Sequence, residues 1–361
     1  MGKKGKRARG ARCPPLASDP LVSVCTPTFN RRPFIKALIK CYLSQTYPSA
    51  RMEWIVLDDG TDKVGDLFNE VPGVRYFEAE KKMPVGAKRN WLHAKCNGEV
   101  ILYMDDDDYY PPERVAHAVA TLRANPSVLC VGSSKLLTYF PARKEIWALG
   151  PYRDNHATAA TMAFRRGLLT RTRYSETAAL AEEKLFLKNF SIPLVQLDPS
   201  KTIMVVAHAH NTFDKNDLIK DGPNEYVRPV DVKPEELIAD PELRAAYTSL
   251  IHEELTDYPQ GRPDQKPDVQ EQYAELKRSR QEAAEKAAAA YGTGVLIEEN
   301  GKRRQLSTDE VLQTLREQGQ AIEALQARVQ ARDELISTLR SQLVTATEDP
   351  VPLVSEQPQE S

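Results

Sequence analysis

Four consecutive aspartates, Asp105–Asp108, follow directly on the apolar run Val100–Met104. An apolar run that breaks into acids reads as a strand, buried on both faces, emerging at the edge of a sheet. The pattern recurs along the first third of the chain. Leu21–Thr26 runs into the polar stretch Thr26–Asn30, and Trp54–Leu57 runs into Asp58-Asp59-Gly60. Val74–Phe77 and Val128–Val131 are further short apolar runs. Helical segments fall between them. Pro33 suits a first helical turn, and Phe34, Ile35, Leu38, Tyr42 and Leu43 follow at helical spacing. Gly86–Cys96 and Pro112–Arg123 also read as helices. Strands alternating with helices from 21 to about 132 predict βαβ units and an α/β fold with a mainly parallel sheet flanked by helices. Ligands of such sheets sit beyond the carboxyl ends of the strands. Three polar clusters fall at that one edge.

The 361 residues leave room for about two domains. With 41% hydrophobic residues, 28% charged residues and a net charge of −2, the chain has the composition of a soluble protein and not of a basic nucleic-acid binder. No run approaches the roughly 18 apolar residues of a membrane helix. The basic start has no apolar region behind it, so no secretory signal is visible. Lys6 stands where myristoylation wants Ser or Thr. Five cysteines without a Cys-x-x-Cys pair argue against a disulfide framework or a sulfur zinc site. The expectation is a reduced, cytoplasmic protein, with peripheral membrane contact left open.

Residues 1–20 read as a disordered basic tail, and 21–215 as the main domain, with halves at 21–132 and 133–215. In the second half Thr161–Phe164 and Ile203–Ala207 read as strands and Ala178–Phe190 as a helix. Residues 216–267 are rich in Pro and charge and read as a wrapping or linker segment. Residues 268–306 read as an Ala-rich helix and a small hairpin about Asn300-Gly301. Residues 307–346 carry heptads: Val311, Leu315, Gln318, Ile322, Leu325, Val329, Arg332, Ile336, Leu339 and Leu343 occupy a and d positions. That pattern predicts a coiled coil and a homo-oligomer. Residues 347–361 read as a disordered tail.

Four adjacent carboxylates repel one another and call for a counter-charge, which a divalent cation with oxygen ligands, magnesium or manganese, supplies well. Their context is more specific. Asn97–Met104, Asp105–Asp108 and Pro112–Val115 resemble the core of glycosyltransferase family 2, which has the Rossmann-like GT-A fold and a DxD signature after this strand. Val22–Arg31 resembles the family's first strand and nucleotide-contacting turn, Trp54–Asp62 its second strand and DDGS-type turn, and Gly86–Asn90 the helix start before the DxD strand. The resemblance implies a nucleotide-sugar donor, a glycan or other hydroxyl acceptor, and Mn²⁺ or Mg²⁺. It implies that Thr26, Pro27 and Asn30 line the nucleotide pocket and that Asp59, beside Asp58, accepts from the base. Arg89, helped by Lys88, would face the nucleotide or diphosphate. Asp107 would contact the metal, Asp105 the ribose or the metal, and Asp106 fills the variable position. Asp108 matches a common extra acid.

Inverting sugar transfer needs a base for the acceptor hydroxyl. Glu182-Glu183 resembles the family's ED pair, with Glu183 the expected base and Glu182 an open alternative, because Glu stands where Asp is usual. His208-Ala209-His210-Asn211-Thr212 resembles the family's H-x-x-N-T segment, which makes His208 the expected metal ligand and His210 its reserve. Two other readings remain in view. A non-catalytic scaffold oligomerised by the coiled coil is one. A nucleotidyltransferase is the other, and it would want a glycine-rich phosphate loop that Thr26–Arg31 is not.

Overall fold

The computed structural model describes residues 15–212, 214–220, 222–290, 296–299, 302–307 and scattered positions from 310 to 336. The chain divides into two compact units, residues 1–277 and 278–361. The strands are β1 (Val22–Thr28), β2 (Met52–Asp58), β3 (Val74–Glu78), β4 (Val100–Tyr103), β5 (Cys130–Gly132), β6 (Leu136–Phe140), β7 (Glu145–Leu149), β8 (Ala163–Arg165), β9 (Leu194–Gln196), β10 (Met204–Val206) and β11 (Val227–Val230). The helices are α1 (Arg32–Leu43), α2 (Val85–Lys95), α3 (Arg114–Ala124), α4 (Glu183–Phe186), α5 (Pro234–Leu237), α6 (Pro241–Ala245), α7 (Ile251–Thr256) and α8 (Pro267–Ala290).

A seven-stranded sheet in the order β3-β2-β1-β4-β8-β5-β9 forms the centre. It is parallel except at β8, which runs antiparallel to both β4 and β5. The fold is therefore the expected α/β class. Strands β1, β2 and β4 are buried along almost their whole length because helices cover both faces, which is why they read as continuous apolar runs. Helix α1 begins with Pro33 in its first turn and buries Phe34, Ile35, Leu38, Cys41 and Tyr42. Leu102, fully buried in β4, belongs to the larger core cluster with Val24, Trp54 and Val131. Leu102→Ala should cost about 2–5 kcal/mol, read as a lowered urea midpoint.

A second sheet, β10-β6-β7-β11, stands beside the first. Its hairpin β6–β7 went unread in the sequence. The helix expected over 178–190 is a correction: only Glu183–Phe186 is α-helical. Ala181, Lys188, Asn189 and Phe190 have positive φ, which breaks the helix at both ends. The segment 216–267 packs closely on the domain. β11 extends the second sheet, and the helical run 241–256 buries Leu243, Tyr247, Ile251 and Leu255 in the core shared with α1. In the second unit β12 (Leu296–Glu299) and β13 (Lys302–Gln305) form an antiparallel hairpin, as expected. The tails and most of the heptad stretch lie outside the described residues.

Strand order reverses between β1 and β4, whose neighbours lead away on opposite sides. That switch point opens a crevice at the carboxyl ends. The turn after β1 (Phe29–Arg31) and the acid run after β4 (Asp105–Asp108) meet there.

Candidate active site

The acid run is held from three sides. The Asp105 backbone N–H donates to the Tyr110 hydroxyl at 2.6 Å. The Val206 N–H donates to Asp108 at 3.1 Å, and the Tyr247 hydroxyl donates to the Asp108 carbonyl at 2.9 Å. A cavity of about 150 Å³ lies against Asp105, Asp106 and Asp107, and Pro27, Arg31, Lys82, Lys88, Arg89 and Lys266 also line it.

Most of these charges are matched. Arg89 is 3% exposed; it grips Asp105 through both terminal nitrogens at 3.0 and 2.9 Å and Glu182 through Nε at 2.8 Å. Lys88 pairs with Asp59 at 2.7 Å, and Lys82 with Asp268 at 2.5 Å. Arg31 lies 3.3 Å from Asp106 and 3.4 Å from Asp107, and donates to the carbonyls of His210 and Gly261 at 2.9 and 3.2 Å. Lys266 differs. It is 6% exposed, has no carboxylate within 4.0 Å among the described residues, and makes one long hydrogen bond, 3.4 Å, to the His210 carbonyl. Burial and the nearby Arg31 charge lower its ammonium to about 7.

The aspartates are not equivalent. Burial, with the Asp107 charge, pushes Asp106 up to about 6 and Asp108 well above the usual carboxylate range. Burial would raise Asp107 too, but the His208 hydrogen bond and the Arg31 charge outweigh it and hold this carboxyl well below that range. Asp107 is thus the one of these three that its surroundings hold in the ionised form. Burial, and then the Glu182 carboxylate, raises Glu183 to about 7.

Among the described residues no three His, Cys, Asp or Glu side chains form a ready cation cage. Two donors do face each other: His208 Nε2 and Asp107 Oδ2, 3.2 Å apart. Burial lowers His208 to about 3, so its ring is neutral and carries one proton. Its Nδ1 accepts from the His210 backbone N–H at 3.1 Å, and the Asn211 amide nitrogen lies 2.8 Å from Nε2. The Asn211 amide is oriented by its oxygen, which accepts from the His208 N–H at 2.8 Å. With Nδ1 accepting from the His210 N–H, the ring proton sits on Nε2 and is directed at Asp107 Oδ2; a divalent cation held between these two atoms would take that proton's place. One carboxylate and one imidazole, with room for ligand oxygens, suit Mn²⁺ or Mg²⁺. His210 is fully buried with both ring nitrogens unpaired and does not share this point.

Other expected residues support the walls. Thr26 is inside the sheet, its hydroxyl donating to the Met104 carbonyl and accepting from the Trp54 indole, so it does not reach the cavity. Asn30 accepts from the N–H groups of Thr61 and Asp62 and donates to the Gln260 carbonyl. Asp58 caps its own turn through the Gly60 and Val64 N–H groups and receives the Tyr76 hydroxyl. Asp59 also accepts from the Met83 N–H at 2.6 Å. Pro27, Lys88, Arg89 and Asp105–Asp107 come together at the cavity; Thr26, Asn30, Asp58, Asp59, Glu182, Glu183 and His208 do not line it. Arg31, Lys82 and Lys266 were missed. Gly261 fits against the Asn30 carbonyl only because it lacks a Cβ, which would come within 2.4 Å of that oxygen.

Residues 23–169 match the model of the family described as glycosyl transferase family 2. The match includes the acid run and ends before Glu182 and His208. Among curated proteins, the chain is 30% identical over 106 residues to the putative colanic acid biosynthesis glycosyl transferase WcaA of Escherichia coli, covering 28% of this chain and 37% of that protein. It is also 30% identical over 104 residues to the poly(ribitol-phosphate) beta-N-acetylglucosaminyltransferase TarS of Staphylococcus aureus, covering 27% of this chain and 18% of that one. An uncharacterized glycosyltransferase of Rickettsia felis is 28% identical over 33% of this chain and 20% of its own length. The chain thus spans well under half the length of these relatives. A solved mannosyltransferase from Pyrobaculum calidifontis, in complex with GDP-Man and Mn²⁺, superposes with a TM-score of 0.43 at 19% identity, covering 55% of this chain and 60% of that one. Among the described residues, no helix is long and apolar enough to cross a membrane.

Proposed function

We propose that this protein transfers a sugar from a nucleotide-sugar donor to an acceptor hydroxyl, with inversion, using Mn²⁺ or Mg²⁺ held by Asp107 and His208. The observation that carries the proposal is the cavity at the switch point, lined together by Asp107, Arg31, Lys88 and Lys266. The match to the family model supports the same reading.

Glu183 accepts the acceptor hydroxyl's proton as oxygen bonds to the anomeric carbon. The bond from that carbon to the phosphate oxygen breaks on the opposite face, and its electron pair leaves with the nucleoside diphosphate. A carboxyl raised to about 7 suits a base working near neutrality. Arg89 fixes Glu182 and Asp105 and so positions the base segment against the acid run. Arg31, Lys88 and Lys266 hold the diphosphate with Pro27 lining the pocket, while Asn30, Asp58 and Asp59 shape the turns on the nucleotide side. The bound cation, when present, offsets charge developing on the departing diphosphate. Self-association through the heptads of 307–346 belongs to the same proposal, and a monomeric mass in light scattering would remove it.

The test is a thermal-shift series on the full chain with UDP-, GDP-, dTDP- and CMP-sugars, with and without Mn²⁺. One donor should raise the midpoint in a metal-dependent way, by an amount set by its affinity. No shift with any donor would overturn the reading. Lys266→Met should weaken the matching nucleoside diphosphate by about tenfold, as expected for losing one charge-assisted contact. Titration calorimetry reads this, and the nucleoside alone should bind the variant and the wild type equally.

A further inference from the structure

Two large aromatic rings stand in solvent on the far side of the carboxyl edge from the donor cavity. Tyr152 and Tyr226 are each 42% exposed, and their rings stack 5.9 Å apart at 21°. His156 meets Tyr152 edge-on at 5.2 Å, and Phe190 lies 4.8 Å from His156. The rings come from three separate stretches of chain. Nothing in the core requires Tyr152 and Tyr226 to be aromatic, since their outer surfaces face water.

Their backbone is nevertheless tightly held. The Ser134 hydroxyl accepts from the N–H groups of Tyr152 and Arg153 at 2.7 and 3.2 Å. Gln196 donates to the carbonyls of Asp154 and His156 at 2.7 and 2.9 Å. The Gly150 N–H donates to the Tyr226 carbonyl at 2.7 Å. Ser134 follows β5 and Gln196 ends β9, so these anchors sit at the same sheet edge as the acid run that follows β4. With only β8 between β4 and β5, Ser134 lies about 10 Å along the sheet from the acids, and Gln196, one strand further, about 14 Å.

Phe190 gives an independent pointer. It ends a run of three non-glycine residues with positive φ, Lys188 at 51°, Asn189 at 55° and Phe190 at 61°. Such backbone is costly and concentrates where a side chain must be presented. The run follows α4, which carries Glu183, so one short segment bears both the proposed base and a ring of this cluster.

We propose that Tyr152 and Tyr226, backed by His156 and Phe190, form a stacking platform for a sugar ring of an oligosaccharide acceptor, remote from the point of transfer. The assignment rests on the transferase reading above and adds the acceptor's chemical class. A pyranose ring has an apolar C–H face and a rim of hydroxyls. The stacked tyrosines match the face, and the flanking Asp154, Arg153 and His156 match the rim. A nucleobase would also stack, but the charge of Arg153 is offset by Asp154, so the patch lacks the net positive charge a polynucleotide backbone needs. The platform's backbone anchors stand two and three strands from β4, a span bridged by an oligosaccharide and not by a single hexose.

The test uses the full chain and four probes, chitohexaose, cellohexaose, maltohexaose and an α-linked mannohexaose, followed by saturation-transfer NMR and calorimetry. At least one should bind the wild type. Tyr152→Ala and Tyr226→Ala should each weaken it roughly five- to tenfold, the size of a lost aromatic contact. Tyr152→Phe should bind within about twofold of wild type, since the ring is kept. Both tyrosines are exposed, so thermal midpoints and donor affinity should not move. Failure of all four probes to bind, equal binding by Tyr152→Ala, or competition by poly(U) would each overturn the platform. Donor binding is read separately, so a failed platform leaves the transferase reading standing, and a failed donor assay does not mimic it.

Discussion

Asp107→Asn should lower sugar transfer by about 10³-fold or more while the protein stays folded, as expected when a group stabilising the departing charge is removed. The reason lies in how the four aspartates divide. Asp105 is locked to Arg89, and Asp106 and Asp108 are pushed toward the neutral form by burial. Only Asp107 is both held ionised and turned toward a second donor, His208. Asparagine keeps the shape and removes the charge. It should also abolish the Mn²⁺ dependence of donor binding, measured by calorimetry with and without the metal. Turnover near the wild-type rate at saturating metal would exclude Asp107 from this role.

Glu183→Gln should remove at least about 10² of the transfer rate and leave donor affinity unchanged, since the amide cannot take a proton. The pH dependence gives a second reading. The wild-type carboxyl, raised to about 7, must lose its proton to act, so kcat/KM should rise as pH increases through about 7. The residual rate of the variant should be flat there. Stability moves the other way. A carboxyl whose folded pKa lies above its unfolded value binds more protons in the folded state, so stability falls as pH rises between the unfolded value and about 7. Glu183→Gln should therefore raise the thermal midpoint more at pH 8 than at pH 4. A wild-type profile flat through neutrality would move the base elsewhere, with Glu182 the first alternative.

The parts of the site legible in the sequence are those whose chemistry is local. Asp105–Asp107 and Glu182-Glu183 are adjacent residues, and His208 follows a strand; each can be seen without knowing what lies opposite. Arg31 also adjoins an expected strand end, but its role depends on partners at 106, 107, 210 and 261, which no local pattern announces. Lys266 sits in a stretch whose prolines and charges look like a linker. The helix expected over 178–190 failed for a related reason. Phe186 and Phe190 stand four residues apart, as on one helix face, but Phe186 and Leu187 reach the core from a short turn flanked by left-handed residues, so tertiary packing overrides local periodicity. Thr26 and Asp58 were expected at the ligand and instead brace the walls. Polar residues at a strand end satisfy buried backbone as readily as they meet a substrate.

The contact of Arg31 with Gly261, and the place of Lys266 beside the acids, join residues far apart along the chain. This has a consequence for the order in which the molecule comes into being. At ordinary rates of synthesis, roughly 10–30 s separate the emergence of Asp107 from that of Lys266. The central strands are complete long before then, so the nascent domain carries its cluster of like charges without the late lysine or the Gly261 carbonyl that steadies Arg31. The centre is thus the last part of the first unit to be finished, and a chain released early would have the sheet without its closing wall.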